Sequence, residues 1–142
     1  MMFNDINGLA VVACVIASMV SGSLWYNPKT FFLIWWKGIG KTGDVEPGME
    51  GNMALTWGLT VLSSVFQAVG LALFINWVAP AFGGASLVSG LTIGFLAWLG
   101  FVAPTNLVNK LFAGHGLKIW AIEAGNHLVN FLIFGAILGA WR

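Results

Sequence analysis

The sequence carries very little charge. Only 8% of its 142 residues are Asp, Glu, Lys or Arg, whereas soluble domains have about 25%. Six basic and five acidic side chains are too few to cover the surface of a soluble protein of this size. Hydrophobic residues make up 58% of the chain, and this composition indicates an integral membrane protein.

Cysteine and basic clusters are also scarce, and each absence excludes a class of protein. Cys14 is the single cysteine, which excludes a secreted scaffold held together by disulfides. The net charge of +1, without a basic patch, excludes a nucleic-acid-binding protein. The sequence has no phosphate-binding loop, nucleophile–base pair or cofactor motif. We therefore expect no cofactor, no metal and no enzymatic activity.

Long uncharged runs predict an all-α fold with four transmembrane helices. Residues 51–109 carry no charge over 59 positions, and each span needs only about 20 residues. Turn residues near Ala79–Pro80 and Gly83–Gly84 divide this run into two spans. The strands of a membrane barrel would alternate in polarity, and no such alternation is visible. We predict spans at about residues 6–26, 53–78, 85–110 and 119–141, in one transmembrane domain covering residues 1–142.

A short aromatic segment separates the first two spans. Asn27–Pro28 is a typical helix start, and the segment from Lys29 to Lys37 is apolar but too short to cross a bilayer. We predict an amphipathic helix at about residues 28–37 that lies at the level of the lipid headgroups. The expected interfacial anchors are Trp25, Tyr26, Pro28, Phe31, Phe32, Trp35 and Trp36.

The distribution of lysines predicts the orientation. The first and third loops hold Lys29, Lys37, Lys41, Lys110 and Lys118, whereas the opposite side holds Arg142 alone. Because positive loops stay in the cytoplasm, we expect a bacterial inner-membrane protein with both termini outside. The polar loop at residues 41–51 would then be cytoplasmic.

The fourth span carries a polar face. Glu123, Asn126, His127 and Asn130 follow the i, i+3, i+4, i+7 spacing that places side chains on one side of a helix. By depth in the bilayer, three further amides are expected to complete an intramembrane polar cluster, namely Gln67, Asn106 and Asn109. Three roles are open for the cluster: a hydrogen-bond network that fixes helix register, a hydrated path, or a metal or catalytic site.

Pro104 interrupts the third span. Its ring nitrogen cannot donate to the carbonyl of Gly100, so we expect a kink in the helix there.

Three stretches of the sequence carry a family resemblance. One is residues 22–28 (GSLWYNP) with Phe31, Phe32 and Trp35, and another is residues 94–112, beginning GFLAWLGFVAP. The last is residues 122–140, with His127 and the GAIL sequence at 135–138. The chain resembles an uncharacterised family of small four-helix bacterial membrane proteins, named only as a domain of unknown function. The resemblance implies the fold and a membrane location, and it implies no substrate, cofactor or catalytic residue.

Four spans are few for a monomeric transporter, because a path needs walls on all sides. We therefore expect a homo-oligomer or a larger membrane complex within the lipid bilayer. The leading hypothesis is a non-enzymatic subunit or accessory component of a membrane assembly. The alternative is an oligomeric channel or transporter that uses the polar face of the fourth span. A membrane-embedded metal-binding or catalytic protein is the third hypothesis.

Overall fold

The long apolar runs of the sequence form helices. The computed structural model describes residues 2–43 and 51–142, and this part of the chain contains helices and turns but no strand. The six α-helices of the described residues are α1 (Gly8–Trp25), α2 (Phe32–Gly38), α3 (Met53–Val78), α4 (Leu87–Ala97), α5 (Ala103–Phe112) and α6 (Gly116–Ala140). The predicted loop acids Asp44, Glu46 and Glu50 lie outside the described residues.

Four helical segments of the described residues are long and apolar enough to cross a membrane. They are Gly8–Trp25, Met53–Phe82, Leu87–Phe112 and Gly116–Ala140. The second segment includes a 3₁₀ turn after α3, and the third combines α4 and α5. These observations confirm the predicted fold class of an all-α membrane protein.

Side-chain caps explain where several helices begin. The Asn7 side chain accepts hydrogen bonds from the backbone N–H groups at the start of α1, and Asn52 does the same for α3. Asn27 instead accepts from the N–H of Lys29 in a turn, and the Thr30 hydroxyl donates to the carbonyl of Trp25. Helix α2 therefore begins at Phe32, four residues later than predicted, because Asn27 caps a turn and not the helix.

The third span contains a wide turn directly before its proline. Residues Trp98–Val102 are π-helical, and the Ala103 N–H donates to the carbonyl of Trp98, five residues earlier. Pro104 then lies in the first turn of α5. The Thr105 hydroxyl donates to the carbonyl of Phe101 at 2.7 Å. The wide turn holds one residue more than an α-helical turn, and it lies directly before Pro104. Proline has no backbone N–H and cannot make the regular α-helical hydrogen bond at that position.

The hydrophobic core fills the half of the bundle that contains the start of α1 and the end of α3. Its most deeply buried large side chains are Cys14, Ile75, Ile93 and Phe134. In the other half, every residue of α3 from 53 to 63 is exposed, whichever side of the helix it occupies. A hydrogen bond of 3.1 Å between the Ser18 and Ser64 hydroxyls joins α1 to α3 where the packed half ends. Beyond this bond, α3 separates from the bundle and leaves a wedge-shaped opening.

Candidate functional site

This opening is a cavity of about 820 Å³ between α1, α2, α3 and α6. It lies at the end of the bundle where α1 ends, and it reaches Gln67 and Asn130, halfway along α3 and α6. All four residues of the predicted α6 polar face line it. Aromatic rings of Tyr26, Trp35 and Trp57 form other parts of its wall. The sequence pattern on α6 thus corresponds to one wall of a cavity.

Glu123 is held by three donors from two other helices. Its Oε1 accepts from the Trp35 indole N–H at 2.9 Å and lies 2.9 Å from Lys110 Nζ, while its Oε2 accepts from Asn106 Nδ2 at 3.1 Å. The side chains of Glu123 and Lys110 are only 14% and 18% exposed. Because Asn106 and Lys110 are one turn apart on α5, both reach the same carboxylate. The positive charge of Lys110 therefore neutralises the negative charge of Glu123 inside the protein.

Tyr26 follows α1 directly, and its ring lies against Trp35 with centroids 5.0 Å apart. Burial raises the pKa of the Tyr26 phenol, and the negative charge of Glu123 raises it further. The phenol thus keeps its proton at physiological pH and provides the cavity with a hydrogen-bond donor.

Two residues of the α6 face have polar atoms without partners. Asn130 is 8% exposed, and neither its Oδ1 nor the Nδ1 of His127 has a hydrogen-bond partner among the described residues. Asn126 differs, because its Nδ2 donates to the Ser21 hydroxyl of α1 at 3.2 Å. A buried polar atom without a partner costs about 1–3 kcal/mol. Both atoms are buried, so they lie behind the surface that the Asn130 and His127 side chains present to the cavity.

The predicted partners of the α6 face divide into three cases. Gln67 lines the cavity. Asn106 binds Glu123 but lies outside the cavity lining. Asn109 is exposed and lies outside the lining as well. Successive residues of an α-helix are 100° apart, so Asn109 points away from the direction shared by Asn106 and Lys110.

Several of the predicted interfacial anchors contact other parts of the protein. The Trp25 indole N–H donates to the carbonyl of Ile122 at 2.8 Å, and its ring centroid lies 4.8 Å from that of Phe31. Trp36 is only 7% exposed. Pro28 and Phe32 belong to the cavity wall. Anchoring of these side chains in a bilayer stays a prediction.

Gln67 is joined in the cavity wall by three polar residues of α3 that were not predicted as part of the cluster, Thr56, Thr60 and Ser63. Thr56, Thr60, Ser63 and Gln67 line the cavity, and their spacing of i, i+4, i+7 and i+11 places them on one helical face. This pattern could have been found in the sequence, because all four side chains are polar within an apolar span. The partnership of Trp35 with Glu123 was also missed, and no local sequence signal points to it.

The described residues contain no group of three or more His, Cys, Asp or Glu side chains that could hold a metal ion. Glu123 and His127 share a face of α6, but the hydrogen bonds and the ion pair already described occupy the Glu123 carboxylate. The cavity wall can offer hydrogen bonds and aromatic surface to a small molecule.

A family model described as a protein of unknown function (DUF1761) matches residues 9–139. The match confirms the resemblance to a family known only as a domain of unknown function. Neither the search of curated proteins nor the search of solved structures found a match.

Proposed function

We propose that this chain, which belongs to the DUF1761 family of unknown function, is a non-enzymatic membrane protein that holds a small molecule in the cavity between α1, α3 and α6. The observation that carries the proposal is the pair of polar rows that line the cavity, with Thr56, Thr60, Ser63 and Gln67 on α3 and Asn126, His127 and Asn130 on α6. Lipid tails cannot supply hydrogen bonds to them, whereas a bound polar molecule can. The cavity volume of about 820 Å³ lies within the range of about 300–1,000 Å³ that is usual for small-molecule sites.

The packing beyond the cavity favours holding a molecule over conducting one. Leu71, Ile75, Ile93 and Phe134 are at most 4% exposed and fill the bundle past the Ser18–Ser64 hydrogen bond. Interiors of this kind are packed nearly as tightly as organic crystals. The channel or transporter alternative would need a path through this core or between several copies of the chain.

The proposal includes the membrane setting expected from the sequence. We place the protein in the bacterial inner membrane, with the cavity on the cytoplasmic side, where the lysine-rich loops lie. We also propose that it acts as a homo-oligomer or as a component of a larger complex. The exposed half of α3 supports this part, because Leu55, Leu59 and Leu62 there are each 47–57% exposed.

Native mass spectrometry of gently extracted protein tests the binding function. We expect the wild-type protein to retain a small molecule at near-stoichiometric amounts. Ser63→Trp should abolish retention, because the indole would occupy the cavity. The matched control is Val61→Trp on the same helix, since Val61 is 40% exposed and does not line the cavity.

Size-exclusion chromatography and circular dichroism of both variants establish that they fold. A wild-type protein without a bound molecule would contradict the proposal. Equal retention by the wild type and the Ser63→Trp variant would contradict the assignment to this cavity.

A further inference from the structure

We infer that the occupant of the cavity is an uncharged amphiphile, with a headgroup that donates hydrogen bonds and an acyl-type tail. An acylglycerol has this chemistry. The inference rests on the proposed binding function and specifies the class of ligand.

The charge balance of the wall favours an uncharged headgroup. Glu123 is the acid among the described lining residues, and Lys110 pairs with it at 2.9 Å. Trp35 and Asn106 occupy further acceptor positions of the same carboxylate. A cationic ligand would have to displace these donors, and the described lining residues include no Lys or Arg that would attract an anionic ligand. The pair thus leaves no unbalanced charge to attract an ion.

The hydroxyl groups of the wall leave acceptors facing the cavity. The hydroxyl protons of Thr56, Thr60 and Ser23 each point to a backbone carbonyl one turn earlier in the same helix, at 2.8–3.1 Å. A hydroxyl that donates in this way keeps lone pairs free to accept. Tyr26, Gln67 and the Trp57 indole add donors to the wall, and a hydroxyl headgroup, which both donates and accepts, can meet both kinds of group. A ligand that carries O–H or N–H donors complements this wall.

The shape of the opening favours a ligand that comes from the bilayer. Residues 53–63 of α3 are exposed on all sides of the helix, so the wedge is open on both flanks of α3. These residues belong to the segment Met53–Phe82, which is apolar and long enough to cross the membrane, so both openings would face lipid. Aromatic and aliphatic side chains of Met19, Phe32 and Trp57 line the cavity beside its polar groups. A tail would lie along these side chains and extend into the lipid while the headgroup meets α3 and α6.

Cysteine protection tests the ligand class. The Ser63→Cys variant, in nanodiscs of phosphatidylcholine, is labelled with a membrane-permeant maleimide. The native Cys14 is fully buried and serves as the unlabelled background. Monolauroylglycerol is the probe. Two control compounds are compared with it: its diacetate, which lacks the O–H donors, and free glycerol, which lacks the acyl tail.

We expect monolauroylglycerol to slow labelling of the Ser63→Cys variant by about tenfold at ten times its Kd, by simple site occupancy. The diacetate and free glycerol should leave the rate unchanged. A Val61→Cys variant should react at the same rate with and without each probe, because position 61 lies outside the cavity.

A matched pair of threonine substitutions tests the hydroxyl acceptors. Thr60→Val removes one lining oxygen and should weaken protection by monolauroylglycerol. Thr92→Val should not, because Thr92 donates to a carbonyl one turn earlier at 2.9 Å in the same way but lies outside the cavity. Both variants keep the shape of the side chain, so the comparison does not depend on a loss of folding.

Three outcomes would overturn the inference. Equal protection by the diacetate contradicts the donor headgroup, and equal protection by free glycerol contradicts the tail. Absence of protection by monolauroylglycerol contradicts the ligand class. If native mass spectrometry still finds a bound molecule in that last case, the proposed function stands and only the inference fails.

Discussion

Glu123 illustrates how an acidic side chain is stabilised within a membrane span. An ionised acid at the centre of a span costs about 2.5–3.5 kcal/mol on insertion scales. Here the indole of Trp35, the amide of Asn106 and the ammonium of Lys110 all contact the carboxylate. Breaking such a set is costly because it leaves a charge without partners. We therefore expect the stability of the bundle to depend on each of these donors.

Asn106 and Asn109 provide a matched pair of substitutions. Asn106→Ala removes a donor from Glu123 and should lower the free energy of unfolding by about 1–2 kcal/mol. Asn109→Ala should change it by less than about 0.5 kcal/mol, because the Asn109 side chain is exposed. Unfolding in mixed detergent micelles measures both. Equal destabilisation by the two substitutions would refute the described geometry around Glu123.

The same two asparagines show what the sequence could predict at the scale of residues. Position along a span gives depth in the bilayer, and depth suggested Asn106 and Gln67 as neighbours of the α6 face. In the structure, Asn106 donates to Glu123 and Gln67 lines the cavity. Depth does not give the rotation of a helix about its axis, and rotation turns Asn109 away from the cluster. The Trp35–Glu123 bond joins residues 88 positions apart, so it depends on tertiary packing that no local pattern encodes.

Among the helices, α4 and α6 make the closest contact through glycines. A Cβ atom at Gly90 would meet the backbone carbonyl oxygen of Gly135, and a Cβ atom at Gly135 would meet that of Gly90. Gly94 and Gly139 extend the same contact along the helix pair. Small residues allow membrane helices to approach until their backbones touch. This contact fixes α6, and therefore its polar face, against the rest of the bundle.

Gly90→Ala should destabilise the protein by about 1–3 kcal/mol, because the added methyl group forces the two backbones apart. Gly70→Ala is the matched control. It lies in α3 with open space around its Cβ position, so it should be neutral or stabilising by up to about 1 kcal/mol through helix propensity. Thermal unfolding in detergent measures both variants. A neutral Gly90→Ala variant would show that the α4–α6 contact is looser than described.

Some helices could be predicted from the sequence more completely than others. The uncharged run and the turn residues correctly indicated two spans between residues 51 and 109, because charge and hydropathy act locally. The π-helical turn at Trp98–Val102 was not foreseen, although Pro104 indicated an irregular helix. A proline shows that regular bonding must fail, but packing decides how the helix adapts.

At the scale of the whole molecule, the helices pack closely in one half of the bundle and leave a cavity in the other half. The core around Ile75 and Phe134 holds one end together, while α3 diverges from the bundle at the other end. The polar groups of α3 and α6 face each other across the resulting cavity. If the orientation proposed from the lysines is correct, this cavity faces the cytoplasm.

Cysteine labelling in intact cells tests that orientation. Arg142→Cys should react with an impermeant maleimide, whereas Thr42→Cys should react only after the membrane is permeabilised. Thr42 and Arg142 are both exposed on the protein, and wild type is the control because Cys14 is buried. The reverse pattern of labelling would place the lysine-rich loops outside and contradict the proposed orientation.

An experimental structure of the wild-type protein in lipid nanodiscs would test most directly whether the cavity between α3 and α6 holds a molecule. We expect density for a bound molecule between α3 and α6, within hydrogen-bonding distance of Asn130 and Gln67. We also expect that residues 53–63 of α3 remain separated from α1. A structure in which this half of α3 packs directly against α1 and α6, with no room for a molecule between them, would contradict the account.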